Sequence, residues 1–200
     1  VSFPDFVAIT GAKPIIVPTI PERQYEPDFS VLEKSITNNT RGIIINSPSN
    51  PTGGLWGDEA IKRTLKIAKE KNLWIFSDEC YEQLTYDKKF KSIQGYDLDN
   101  KRILTFQSCS KTYSMTGWRI GYTAGHPDII KAMSKIQSQS TSCPNSIAQH
   151  AAVEALSGDQ GEVFKMKKTF QKRRDVMVDG LNRIEGVSCE VPGGAFYAFP

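Results

Sequence analysis

The chain has 200 residues, 39% of them hydrophobic and 24% charged, with a net charge of +3. That is the composition of an ordinary soluble globular protein. A mild positive balance spread over mixed-sign sequence argues against nucleic acid as a partner, and no apolar run is long enough for a membrane helix. The four cysteines, Cys80, Cys109, Cys143 and Cys189, are scattered without a C-x-x-C pair or a secretory segment. They read as reduced thiols of a cytoplasmic protein, not as a disulfide framework or a metal site. Val1 opens without an initiator Met and Pro200 closes on an apolar run, so both ends are expected to cut through structure. There is no internal repeat.

In chain order, short β-branched and aromatic runs alternate with longer amphipathic ones, which predicts an α/β layer fold with a mostly parallel sheet. Strands are predicted over Pro14 to Val17, Gly42 to Asn46, Leu73 to Ser77, Ile103 to Gln107 and Ile120 to Ala124. Phe29, Leu32 and Ile36, and then Ile61, Leu65 and Ala68, fall at helical spacing, so each segment can bury one stripe against the sheet. Asp28 and Asp58 are the expected N-caps. After Pro127, the residues Ile129, Met133 and Ile136 repeat the pattern. Val163, Met166, Phe170, Met177, Leu181 and Ile184 carry it for about six turns. The basic residues Lys165, Lys167, Lys168, Lys172, Arg173 and Arg174 are expected on a solvated face of that long helix. Val187 to Val191 and Ala195 to Phe199, split by Pro192-Gly193-Gly194, read as a hairpin opening a second, smaller domain.

Functional residues in such folds gather at the carboxyl ends of the strands. Here those ends are polar. One strand runs into Ser49-Asn50-Pro51-Thr52-Gly53, the next into Asp78-Glu79-Cys80-Tyr81, and the third into Ser108 and Lys111. An amide, a carboxylate with a phenol, and an amine with hydroxyls thus reach one rim, and Arg119 follows eight residues after Lys111. An amine among hydroxyls with a guanidinium close by suits a site that binds an aldehyde cofactor covalently and holds its phosphate. The two histidines, His126 and His150, and Trp118 read as structural. Glu79 reads as a neighbour without a direct role.

These motifs, Ser49-Asn50-Pro51-Thr52-Gly53, Ser77-Asp78-Glu79-Cys80-Tyr81 and Ser110-Lys111-x7-Arg119, resemble in order and spacing those of the class I aminotransferases. The resemblance covers essentially the whole chain and is to the bacterial-type aspartate aminotransferase branch. It implies fold type I, with helices on both faces of the large-domain sheet and the start of a small α/β domain. It also implies pyridoxal 5'-phosphate as cofactor, a homodimer, and transfer of an amino group between aspartate and 2-oxoglutarate. Residues 1–158 would belong to the cofactor-binding large domain, 159–184 to an interdomain helix and 185–200 to the start of the small domain.

By the same resemblance Lys111 forms the Schiff base with the cofactor and moves the proton from substrate Cα. Asp78 partners the pyridine nitrogen, and Tyr81 and Asn50 donate to the phenolate oxygen, with Asn50 also facing substrate. Arg119 and Ser108, with Ser110 beside them, hold the phosphate. A cis Asn50-Pro51 bond is implied as well. No metal is expected. A phosphate loop, a stacking aromatic and a tyrosine lent by the partner subunit would precede Val1, and the arginine for the substrate carboxylate would follow Pro200. Other readings stay open at this point: an aromatic, prephenate or alanine-type transaminase, a carbon-sulfur lyase, or the sensor domain of a transcription regulator that borrows the fold.

Overall fold

The computed structural model describes residues 2–200. Its helices and strands in chain order are α1 (Phe3–Ala8), β1 (Thr19–Ile20), β2 (Glu26–Pro27), α2 (Phe29–Ser35), β3 (Gly42–Asn46), α3 (Asp58–Glu70), β4 (Trp74–Asp78) and β5 (Ile103–Ser108). After these come α4 (Cys109–Thr112), β6 (Gly121–Ala124), α5 (Pro127–Ser140), α6 (Ser146–Ser157) and α7 (Gly161–Asn182). The main sheet has the order β3-β4-β5-β6, with β3, β4 and β5 parallel and β6 antiparallel to β5. The expected α/β architecture with a mostly parallel sheet is what the chain forms.

Side chains alternate across a strand, so Ile43, Ile45, Ile75 and Ile103 share one face of the sheet. On that face α3 lays the predicted stripe, and Ile61, Leu65 and Ala68 join Ile45, Ile75 and Ile103 in one buried cluster. Asp58 and Glu59 in the first turn of α3 suit the positive end of its dipole. The fully buried Ile75 would cost about 3 kcal/mol if cut back to Ala, because the packed layer cannot close over the gap. Ile44, Phe76, Asp78 and Phe106 point to the opposite face. There Ile44 keeps 38% of its surface exposed, so this face is more open.

Several expectations need correction. Pro14 to Val17 is not a strand but an irregular, unpaired segment between Pro14 and Pro18, neither of which has an N–H for a ladder. The chain pairs slightly later, in the two-residue ladder of β1 with β2. The strand expected over Leu73 to Ser77 is displaced by one residue, and β6 starts at Gly121. Asp28 does cap α2, its carboxylate accepting from the Ser30 and Val31 amides. Asp58 is not a cap: Gly57 takes that place, and Asp58 Oδ1 instead accepts the Tyr96 hydroxyl at 2.5 Å. The stripe on α5 is not buried against anything among the described residues, for α5 has no buried residue and Ile136 is 70% exposed.

The expected hairpin also fails to form. The backbone of Gly193, Gly194 and Ala195 spends its hydrogen bonds on distant loops: the Gly194 amide donates to Gly53 O (2.9 Å), the Ala195 amide to Leu84 O (2.8 Å), and Gly193 O accepts from the Tyr86 amide (3.1 Å). Once those groups are used they cannot pair with Val187 to Val191. Arg174 likewise leaves the predicted solvated face. Its side chain is 8% exposed, lies 2.5 Å from Asp87 and donates to Pro192 O at 3.0 Å, pinning α7 to two loops.

Candidate active site

The sheet register makes the carboxyl ends of three strands level, because Asn46 pairs with Asp78 and Asp78 with Phe106. Beyond β3 the chain turns at once: the Asn46 side-chain oxygen accepts the Asn50 amide at 2.9 Å, and both Ser47-Pro48 and Asn50-Pro51 are cis. The cis Asn50-Pro51 bond is the one the resemblance implied. Gly53 holds this turn against the C-terminal segment with a φ of +69°. A Cβ there would lie 2.4 Å from the Cβ of Pro192, so both conformation and space require glycine. Asn50 ends up exposed on the rim.

Asp78 closes β4, and its Oδ1 accepts the Cys80 amide at 3.1 Å. Burial, then the Asp78 carboxylate, pushes the Cys80 thiol up to about 12, while the Lys111 ammonium pulls the other way. Asp78, Cys80 and Lys111 therefore share one electrostatic neighbourhood. Tyr81 is 3% exposed. Its ring meets Phe196 and Tyr197 edge-on, with centroids at 5.4 and 5.7 Å, and its hydroxyl lies 2.6 Å from that of Tyr197. Burial first, and the Tyr197 hydrogen bond second, raise the Tyr81 phenol above its ordinary range. Tyr81 is thus a neutral hydroxyl, able to donate.

Lys111 rides on α4, a single turn whose N-cap is Ser108. The Ser108 Oγ accepts the Ser110 amide at 3.0 Å and donates to Ile120 O at 3.3 Å. Half-buried, the Lys111 ammonium sits 5.7 Å from the centre of the Phe196 ring. That distance is within the range for a cation over an aromatic face. The neighbouring Thr112 hydroxyl donates to Glu82 at 3.3 Å. Arg119 follows a 3-10 turn with a φ of +51°, is exposed, and donates to Thr116 O at 3.0 Å. The pairing of Ser108 with Gly121 brings the strand entered after Arg119 alongside the end of β5.

Tyr81 and Lys111 both pack on the Phe196 ring, and Asp78 and Lys111 both act on the Cys80 thiol. Ser108 and Ser110 form the turn that carries Lys111. Asn50 and Arg119 stand at the two edges of the rim, without a direct hydrogen bond to the others. Glu79 points to the opposite face. It is 1% exposed and accepts from Ser77, Ser92, the Ile93 amide and Gln107. A cavity of about 360 Å³ on that same face, between α3 and residues 88–91, is separate from the rim.

Sequence reasoning missed Phe196, Tyr197, Glu82 and Thr112. The aromatic pair lies more than a hundred residues from Tyr81, so no local pattern marks it. Glu82 had a signal, a carboxylate one position after a buried tyrosine.

A parallel sheet that brings an amine, a carboxylate and a phenol to its carboxyl edge, with a long helix leading away, has the architecture of the fold type I transferases. The chain belongs to the aminotransferase class I and II family, whose profile matches residues 1–200. It is 44% identical over 204 residues to a probable aspartate/prephenate aminotransferase of Rhizobium leguminosarum bv. phaseoli, covering 100% of this chain and 51% of the relative. Two crystal structures are similar. The aspartate aminotransferase of Rhizobium meliloti has a TM-score of 0.93 at 40% identity, covering 98% of this chain and 50% of that one. The aromatic aminotransferase of Pyrococcus horikoshii has a TM-score of 0.95 at 37% identity, covering 100% and 54%. The chain spans about half the length of the curated relatives it matches.

Proposed function

We propose that this chain supplies the cofactor-binding half of an aminotransferase that uses pyridoxal 5'-phosphate to exchange an amino group between an amino acid and a 2-oxo acid, with aspartate and 2-oxoglutarate as the leading pair. The observation that carries the reading is that Tyr81 and Lys111 share the Phe196 ring while Asp78 and Lys111 share the neighbourhood of Cys80. The donor set fits the cofactor: an amine for an aldehyde, a carboxylate for a pyridine nitrogen, a neutral phenol and an amide for a phenolate oxygen, and a guanidinium with hydroxyls for a phosphate. When bound, pyridoxal phosphate supplies the aldehyde that condenses with amines and the ring that accepts the electron pair left on substrate Cα.

The chain's own groups divide the remaining work. Lys111 Nζ takes the proton from substrate Cα and returns it, as a positioned general base and acid. The Asp78 carboxylate favours a protonated ring nitrogen by charge. Tyr81 and Asn50 donate to the phenolate oxygen, and Asn50 also faces the substrate. Arg119 offers a planar fork suited to two phosphate oxygens, and Ser108 and Ser110 add hydroxyls.

Relatives named for aspartate support aspartate as donor, and the name of the Rhizobium leguminosarum relative supports prephenate as a second acceptor. A homodimer, a cytoplasmic location and the segmentation into 1–158, 159–184 and 185–200 belong to the same proposal. Four free cysteines agree with a reducing compartment, and α7, running Gly161–Asn182, agrees with an interdomain helix.

The test is to load the complete protein with pyridoxal phosphate, offer aspartate, alanine and phenylalanine in turn, and measure the 2-oxo acid released. Aspartate should react fastest, and Lys111→Ala should lower the rate by about four orders of magnitude, the scale expected when a general base and covalent anchor are lost together. No transfer from any donor overturns the proposal.

A further inference from the structure

Tyr81 and Tyr197 are the closest side-chain hydroxyl pair in the site, 2.6 Å apart and separated by 116 positions in the chain. Tyr197 is not held there by chance packing. Ala195, two positions earlier, is fully buried, its amide donates to Leu84 O at 2.8 Å, and Gly194 forms an antiparallel bridge with Thr85. The loop that begins at Tyr81 and the segment that carries Tyr197 are thus joined by main-chain bonds, which leave the two phenols facing each other edge-on. Phe196, between these anchors, packs on Tyr81 at 5.4 Å and on Phe170 of α7 at 5.3 Å.

A tyrosine hydroxyl has one proton to give and can also accept. If Tyr81 gives its proton to Tyr197, it has none for a ligand. If Tyr197 gives its proton to Tyr81, the Tyr81 proton is free to point outward, and accepting a bond strengthens the bond that is donated. We propose that Tyr197 is a positioning residue: by donating to the Tyr81 oxygen it aims the Tyr81 proton at the phenolate oxygen of the bound cofactor and makes Tyr81 a better donor. The inference rests on the function proposed above and adds to it that a segment beyond α7 tunes the cofactor through Tyr81. No group on Tyr197 needs to touch the cofactor.

The consequence is electronic and can be read in a spectrum. A weaker donor at the phenolate oxygen stabilises the ionised form of the lysine-bound cofactor less, so its visible absorbance should titrate at higher pH. In the complete protein, Tyr197→Phe should raise that titration midpoint by about half a unit, Tyr81→Phe should raise it further, and the double substitution should match Tyr81→Phe alone, since Tyr197 acts only through Tyr81. A merely structural role for Tyr197 would move stability and leave the midpoint alone. An unchanged midpoint in Tyr197→Phe, or a double variant shifted beyond Tyr81→Phe, overturns the inference while leaving the cofactor assignment intact. If the wild-type protein develops no such absorbance with pyridoxal phosphate, the functional reading fails and this inference with it.

Discussion

Thr112, the residue after Lys111, donates its hydroxyl to the Glu82 carboxylate at 3.3 Å, and so ties the turn carrying Lys111 to the loop carrying Tyr81. Thr112 is 1% exposed, so the bond lies inside the wall of the site. Burial is the main cause that pushes the Glu82 carboxyl up from 4.5 to about 7. The folded protein therefore holds this proton after the unfolded chain has released it. Stability linked to Glu82 is fully present below about 4.5 and declines as pH rises to about 7. Glu82→Gln keeps the acceptor and removes the titration. The melting temperature of the variant should fall less than that of the wild type between pH 5 and about pH 7. Parallel curves would contradict the raised carboxyl.

The thiols should react unequally. The Cys80 thiol is pushed up to about 12 and Cys109 is buried with its thiol raised, whereas Cys143 is exposed. Since the thiolate is the nucleophile, limiting iodoacetamide at pH 8 should label Cys143 and spare Cys80 and Cys109. Peptide mass mapping reads the result, and equal labelling of Cys80 and Cys143 would contradict it.

Arg174 joins α7 to the loop after Tyr86. Its guanidinium reaches Asp87 and Pro192 O and lies 4.9 Å from the Tyr86 ring centre. Asp87 is 57% exposed, so solvent screens much of the ion pair. The loss in Arg174→Ala falls mainly on the unpaired Pro192 carbonyl and the ring contact, about 2 kcal/mol in a denaturation experiment. Arg174→Lys should recover less than half of it, because an ammonium cannot reproduce the planar fork.

Gly53 links the Asn50 turn to the segment bearing Tyr197, through the bond from the Gly194 amide to Gly53 O. Gly53→Ala forces a positive φ on a residue with a Cβ and a clash with Pro192. It should cost about 2 kcal/mol or more and weaken cofactor binding measured by absorbance titration. Wild-type stability and affinity would contradict the packing described here.

The parts of the fold readable in the sequence are those set by local chemistry. Ile43 to Ile45 and Ile103 to Gln107 are β-branched or aromatic runs bounded by polar turns, and they became strands whose ends meet at one rim. Asp28 is a short acid before a helical stripe, and it caps α2. Motif spacing also singled out Asp78, Tyr81 and Lys111, which lie at or just after the ends of β4 and β5. What stayed hidden was set by partners far away in sequence. Gly193 to Ala195 look like a hairpin turn, yet the loops at Gly53 and Leu84 claim their backbone groups. Arg174 sits in a basic run that suggests a solvated face, until Asp87 and Pro192 draw it in. Tyr197 looks like one more residue of an apolar run, and only the folded chain puts its hydroxyl on Tyr81.

The most direct measurement asks where the cofactor is attached. Pyridoxal phosphate bound to the complete protein is fixed with borohydride, the protein is digested, and the modified peptide is sequenced by mass spectrometry. The expected result is a single phosphopyridoxyl group on Lys111, absent from Lys111→Ala. Modification of a different lysine, or of none, would contradict the assignment of Lys111 as the anchor.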